Sequence, residues 1–505
     1  MKLLLTGRHS WAGYGISRVF AIWGRYFSTA TSSSGPVDSL LLRISRSGHP
    51  TSSMATILDQ WLEQGRHVKY SELQRFIRQL RKYRRFTHAL QISEWMSAQR
   101  NHDLSPGDIA IRLDLVSKVH GLEQAEKYFD SIPQGLRVSQ VYGALLNCYA
   151  HNRSLEKAEE IMDKIRELGF AKTSLSYNVM LSLYAQLGKQ EKLDILMQEM
   201  EEKGINFDKY TFNIRLNAYG ATSNIEGMEK LLKKMEADVN FKMDWNAYIV
   251  AANGYLKAGL VERSLAMLKR SEPLIIGKPR TKRLAYEVLI TVYASTGNKN
   301  EVYRVWDLYK DMGKVYNSGY VCMISSLMKL DDIDGAEKIL EEWESGNPFF
   351  DIRVPNSVIS GYCRKGLLEK AEAYVNRFIE SGKVPESSTW EHLARGYRVN
   401  GQMAKSVETM RKAILVSQPG WKPCNFTLAA CHDYITHQGD AEAAEEFLKL
   451  LKERGHSLGD MHAKLVRTTN NESLGAQALD EMETEELIVD RKPYEIVESK
   501  NERSN

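Results

Sequence analysis

The stretch "SYNVMLSLYAQLG", residues 176–188, decides the fold. Tyr177, Leu181 and Tyr184 stand at i, i+4 and i+7, the spacing of one apolar helix face. Gly188 follows the second tyrosine by four residues and can adopt the left-handed backbone that stops a helix. The chain then resumes with "KQEKLDILMQEMEEKG", residues 189–204, where Leu193, Leu196 and Met200 form a second stripe and Gly204 a second stop. Two antiparallel helices this short cannot bury their apolar faces by themselves, so the stretch predicts neighbours of the same kind. Asn178 is the polar residue that does not belong to the stripe.

Those neighbours are written along the chain. Tyr184 has counterparts at Tyr149, Tyr219, Tyr255, Tyr293, Tyr362 and Tyr397, and Leu327 fills the middle of the one double gap. Successive steps are 35, 35, 36, 38, 69 and 35 residues. Gly188, Gly259, Gly297, Gly366, Gly401 and Gly439 close the first half of a unit. Five residues beyond that position stand Ala89, Ala125, Ala158, Ala336, Ala371 and Ala444. Gly169, Gly204, Gly382 and Gly455 close the second half. A period near 35 predicts a helical array. About eleven units are expected over residues 70–459, starting near 70, 106, 139, 174, 209, 245, 283, 317, 352, 387 and 425. A capping helix is expected over "TILDQWLEQG", residues 56–65.

Composition narrows the possibilities. The 505 residues are 43% hydrophobic and 26% charged, enough apolar material for a large core. No run reaches the roughly 18 apolar residues of a membrane helix, so a soluble protein with no membrane partner is expected. Five scattered cysteines, Cys148, Cys322, Cys363, Cys424 and Cys431, make no CxxC pair. They argue against a disulfide framework or zinc site and for buried thiols.

The first 27 residues carry Lys2, Arg8, Arg18 and Arg25 and no acid. Those four account for the whole formal charge of +4, so the remainder is neutral. With its serines and amphipathic apolar residues, residues 1–27 read as a mitochondrial transit peptide, cut between Phe27 and Ser28 in "RYFST"; a chloroplast signal is the alternative. Residues 28–69 read as linker and cap, and residues 460–505 as an acidic tail.

The unit "SYNVMLSLYAQLGKQEKLDILMQEMEEKGINFD" resembles the pentatricopeptide repeat, as do "VYGALLNCYAHNRSLEKAEEIMDKIRELGF" and "PNSVISGYCRKGLLEKAEAYVNRFIESGKVPE". The even unit length resembles the plain, P-type subclass of plant organelles, and residues 73–133 look like the start of a plant mitochondrial subgroup. The resemblance implies an all-α, right-handed superhelical α-solenoid of about eleven helix-turn-helix repeats. It also implies single-stranded RNA as partner, one base per repeat, of which pentatricopeptide arrays are themselves a type case. In the family the fifth and last residues of a unit read the base edge, and the second residues of adjacent units sandwich it. Carried over, Asn178 with Asp208 would read a base between Leu175 and Tyr210. Asn213 with Asp244 would read its neighbour between Tyr210 and Asn246. Asparagine with aspartate favours uracil in the family, so two adjacent uracils are expected. Asn356 with Glu386 is a further candidate.

Elsewhere the equivalent pairs are Gln74/Ser105, Ala110/Val138, Gly143/Thr173, Ile249/Lys282, Glu287/Tyr316, Val321/Asp351 and Glu391/Cys424, and most cannot read a base edge. That favours a short site, recognition of shape, or a protein or ribonucleoprotein partner. In "RFIRQLRKYRR", Arg75, Arg78, Lys82 and Arg85 share a helical face that could grip phosphates. Lys257, Lys329 and Arg364 stand where some relatives contact phosphate.

No appended catalytic module is found. The HxE and CxxC of zinc deaminases, the phosphate loop GxxxxGK[ST] and the dinucleotide GxGxxG are missing from the sequence. The Glu-rich second helices read as solvated faces. The expectation is a binding protein without cofactor, metal or small-molecule substrate. It would act on organellar transcripts in processing, stability or translation. The alternatives are a scaffold of the mitochondrial ribosome, wrapping protein and RNA together, and a purely protein-binding scaffold.

Overall fold

The computed structural model describes residues 39–47, 53–98, 104–238, 241–346, 350–417, 421, 423–439 and 441–454. The expected transit peptide and acidic tail lie outside them. The described residues form 24 α-helices, two single 3₁₀ turns and no strand. None of these helices is long and apolar enough to cross a membrane. The chain divides into two compact segments, residues 1–241 and 242–505.

In the first segment, helices Leu40–Arg46 and Met54–Glu63 precede five helix pairs whose first helices begin at Tyr70, Pro106, Ser139, Ser174 and Lys209. In the second, six pairs begin at Trp245, Pro279, Asn317, Arg353, Ser387 and Asn425. Within each segment, consecutive first helices pack on one another. The helix from Pro279 starts four residues before the expected 283, because proline at the first helical position costs no hydrogen bond and sets φ for the turn.

The pair Ser174–Gln186 and Gln190–Glu202 shows how one repeat is built. Tyr177, Leu181 and Tyr184 are buried, as the stripe predicts, but so are Val179, Met180 and Leu183. The first helix is covered on several sides, by its own second helix and by neighbouring first helices, which widens its buried face. The second helix buries only Leu193, Leu196 and Met200. Between them Gly188 has φ +67°, and Lys189 N–H donates to the Tyr184 carbonyl at 2.9 Å. That 6→1 bond, with Gly188 N–H on the Ala185 carbonyl at 3.2 Å, is a Schellman stop.

Four repeats lack the glycine and keep the geometry. Arg84, Arg153, Ser223 and Asp331 occupy its place at φ +57°, +55°, +53° and +58°. Left-handed backbone costs a residue with a Cβ roughly 1–2 kcal/mol, so the turn is imposed by packing on both sides. Five residues later the small-residue column is buried throughout: Ala89, Ala125, Ala158, Ala336 and Ala371 are each 0% exposed. Where the alanine is missing, Leu193, Met228, Ser264, Val302 and Ser406 are equally buried.

The glutamates of the second helices are not simply solvated. Glu159, next to buried Ala158, accepts from Tyr184 Oη at 2.9 Å and from Lys192 Nζ at 2.5 Å, both in the following repeat. Glu337 holds Tyr362 at 2.6 Å and Lys370 at 2.9 Å. Glu372 holds Tyr397, and Lys405 at 3.3 Å. Burial, and then the adjacent carboxylate, push the phenols of Tyr184, Tyr362 and Tyr397 far above their ordinary value. The recurrent tyrosine is therefore both a core residue and a strut to the preceding repeat.

One joint is built differently. Asp194 stands where the glutamate would be, and the cation that meets it is Arg215, from the first helix of the next repeat. Arg215 also donates to Tyr219 Oη at 2.9 Å. Gly227 fills the place of the lysine, and a Cβ there would lie 2.6 Å from the Tyr219 ring. Among the cysteines, Cys148, Cys363 and Cys431 are buried, and burial pushes the Cys363 thiol up to about 12.

Candidate nucleic-acid interface

Asp208 is the N-cap of helix Lys209–Ala221, accepting from the amides of Tyr210 at 2.8 Å and Thr211 at 2.9 Å. A carboxylate at a helix N-terminus meets free N–H groups and the positive end of the dipole. Asn178, one turn into helix Ser174–Gln186, donates Nδ2 to both oxygens of Asp208 at 3.1 Å. Thr211 Oγ1, which is 0% exposed, donates to Asn178 Oδ1 at 2.7 Å. Ser174 Oγ adds a bond to Asp208 at 2.7 Å. The two expected readers thus touch. The threonine and the aspartate between them fix which way the amide faces.

Burial pushes the Asp208 carboxyl up, but the bonds from Thr211, Ser174 and Asn178 outweigh it and hold the group below the usual aspartate value. It is therefore an anion at neutral pH, with its acceptors largely occupied. Asn178 keeps its second amide hydrogen and second carbonyl lone pair. Of the expected flanks, Leu175 is 58% exposed. Tyr210 is half-buried, with Lys209 Nζ 5.3 Å from its ring centroid.

The other expected readers are placed differently. Asn213 belongs to the first segment and Asp244 to the second. Asn213 Oδ1 is buried with no hydrogen-bond partner among the described residues. Asp244 caps helix Trp245–Lys257 through Ala247 N–H at 3.1 Å, and Asn246 follows it half-buried. Asn356 is 6% exposed and bonds Ser388 Oγ at 2.9 Å and Thr389 Oγ1 at 2.8 Å, not Glu386. Burial, then the neighbouring Asp351, raises the Glu386 carboxyl. Thr389 thus holds Asn356 as Thr211 holds Asn178.

Two fifth-position residues are structural. Glu287, 5% exposed, accepts from Tyr309 at 3.1 Å and Ser318 at 2.7 Å. Glu391 accepts the backbone N–H of Cys424. A third was missed by pairing fifth with last residues. Gln74 donates Nε2 not to Ser105 but to Asp108, at 3.0 and 3.2 Å to its two oxygens. Tyr70 Oη donates to the same carboxylate at 2.5 Å. Burial, then that bond, pushes the Tyr70 phenol up to about 12. Asp108 lies one turn inside its helix rather than at the cap, so the signal sat three residues from where it is sought.

The basic stretch is split. Arg85 lies beyond the end of helix Tyr70–Lys82 and donates to the carbonyls of Ile44 at 3.2 Å and Ser47 at 2.6 Å, closing the first helix of the chain. It does not share the face of Arg75, Arg78 and Lys82, which are exposed. Lys257, Lys329 and Arg364 are exposed at the last turn of their helices.

Comparison with known proteins agrees with this architecture. The PPR repeat family model matches residues 172–221, and the PPR repeat model residues 210–238, 319–347 and 354–382. The pentatricopeptide repeat domain model matches residues 133–186. A mitochondrial pentatricopeptide repeat-containing protein of Arabidopsis thaliana is 48% identical over 454 residues, 90% of this chain and 92% of that one. The Arabidopsis large ribosomal subunit protein mL101 is 42% identical over 416 residues, 81% of this chain and 84% of that one. The crystal structure of pentatricopeptide repeat protein PPR10 with an 18-nt RNA element aligns at TM-score 0.46 and 18% identity, covering 84% of this chain and 61% of that one. With helix pairs at this period and relatives matched over nearly their whole length, the chain belongs to the pentatricopeptide repeat family.

Proposed function

We propose that this protein binds single-stranded RNA in the mitochondrion and acts on transcript processing, stability or translation by occupying the RNA. The observation that carries this reading is the Asn178 amide, oriented by Asp208 and Thr211 and left with one donor and one acceptor. That complement suits uracil, whose edge offers an N–H beside carbonyl oxygens, and Tyr210 is placed in sequence to stack on a base face. The mitochondrial relative supports the compartment. Function on this reading is binding rather than covalent chemistry.

A second reading is a structural or assembly role in the mitochondrial ribosome. It is favoured by the 42% identity to a large-subunit ribosomal protein. Crosslinking in organelles with sequencing of the bound RNA, together with sedimentation of the same lysate, separates the two. A sharp uracil-containing footprint, lost in Asn178→Ala, is the outcome of the first. Broad ribosomal RNA reads with co-sedimentation are the outcome of the second. No RNA above background would sink both.

A further inference from the structure

Gln74 and Asn178 are the fifth residues of the first and fourth helix pairs. In both, a side-chain amide lies against a carboxylate near the start of the next first helix. Asn178 Nδ2 meets Asp208 at 3.1 Å, and Gln74 Nε2 meets Asp108 at 3.0 and 3.2 Å. In both, the hydroxyl of the residue opening the pair shares that carboxylate: Ser174 at 2.7 Å, Tyr70 at 2.5 Å. Glutamine is one methylene longer than asparagine, and Asp108 is set one turn further into its helix than Asp208. The two changes compensate, and the amide ends in the same relation to the acid. Asp108 is 6% exposed and also takes a bond from Ser105, so it is a fixed anion that can orient an amide.

The helix that carries Gln74 adds what a nucleotide needs. Gln74, Arg78 and Lys82 are spaced i, i+4 and i+8, so they line one face over about 12 Å of axis. Arg78 and Lys82 are exposed. Arg81, off that face, is held by Asp114 at 3.1 Å. Arg75 leans toward Glu72 at 3.8 Å. The face therefore reads amide, guanidinium, ammonium: one group suited to a base edge and two suited to phosphates.

We propose that Gln74 is a further base-reading residue and that, with Arg78 and Lys82, it makes the first helix pair a nucleotide-binding position for single-stranded RNA. The inference rests on the reading of Asn178 given above. Pairing fifth with last residues assigns Gln74 to Ser105 and misses it. Two helix pairs separate this position from that of Asn178, so at one base per pair the two bases stand three nucleotides apart.

The test is in vitro selection by the full chain from a pool of randomised 12-nt single-stranded RNA, repeated with Asn178→Ala and Gln74→Ala. The expected wild-type motif has two preferred positions three nucleotides apart. Asn178→Ala erases one of them. Gln74→Ala erases the other and weakens binding of the selected RNA about tenfold. Arg78→Gln with Lys82→Gln, at exposed positions that leave folding intact, keeps the motif and lowers the slope of log affinity against log salt by about 1.4. If Asn178→Ala erases its position while Gln74→Ala leaves motif and affinity unchanged, Gln74 is only a staple between helices and the proposal falls alone. An unchanged salt slope in the double variant overturns it as well, even if Gln74→Ala fails to fold. If no motif is selected and Asn178→Ala changes nothing, the reading of Asn178 falls and takes this one with it.

Discussion

Glu159 accepts the phenol of Tyr184 across a repeat boundary at 2.9 Å, from a carboxylate that Lys192 also holds. A hydrogen bond to a charged group contributes about 1.5–3 kcal/mol, more than a neutral one. Tyr184→Phe keeps the packing and removes only this bond. Loss of about 1–2 kcal/mol is expected by urea denaturation. A double-mutant cycle with Glu159→Gln should show coupling, and additive effects would show that the strut carries no energy.

The interhelical turns predict stabilisation by glycine. Arg153 stands at φ +55° in the place that Gly188 fills in the next repeat. Arg153→Gly removes the left-handed penalty but adds freedom to the unfolded chain, so a net gain of up to about 1 kcal/mol is expected. Gly188→Ala should lose about 1–2 kcal/mol. Thermal melting of both variants checks the sign.

Acid should loosen the joint around Glu199. Its carboxylate takes two bonds from Arg166, at 2.9 and 2.7 Å, and others from Lys203 and Tyr177. Burial pushes the group up, but these partners prevail and draw it down to about 2. The folded carboxyl titrates below the unfolded one. The stability it adds is therefore present above the ordinary glutamate value and lost as pH falls toward about 2. Glu199→Gln should be less stable than the parent at pH 6, and the difference should close by pH 2. A constant difference across that range would refute the assignment.

Thr211 predicts a split between affinity and selectivity. Its hydroxyl fixes the Asn178 carbonyl at 2.7 Å. Thr211→Val leaves the amide free to turn over, so discrimination between uracil and cytosine should fall several-fold while total RNA affinity changes less. Thr211→Ser should restore discrimination. Equilibrium binding to matched oligonucleotides decides, with equal loss for both bases counting against a positioning role.

The helix pairs were legible in the sequence because each recurrent residue type answers a local demand. Tyr184 and its counterparts fill a core position, and Gly188 takes a backbone few residues tolerate. The contact of Asn178 with Asp208 was legible through the family resemblance. What escaped depends on partners some 25 to 38 residues away. The roles of Glu159 and Glu337 follow from the next repeat's tyrosine and lysine, and no local pattern separates such a glutamate from a solvated one. Arg153 and Asp331 hide their turns because packing, not residue type, imposes the left-handed backbone. Asp108 stood one helical turn from its expected place, and Arg85 was lost from the basic face because its helix stops at Lys82.

The joint between Asp194, Arg215 and Tyr219 gives the order of the repeats a chemical meaning. The Glu–Tyr–Lys joints at Glu159, Glu337 and Glu372 carry the same plug and the same socket, so repeats bounded by them could be exchanged and still mate. The repeat from Lys209 is keyed: its arginine answers an aspartate one methylene shorter than glutamate, and Gly227 clears the space the ring then occupies. A chimaera that places this repeat after any other would set Arg215 against the wrong acid. Shuffled arrays should therefore tolerate exchange everywhere except at this one seam.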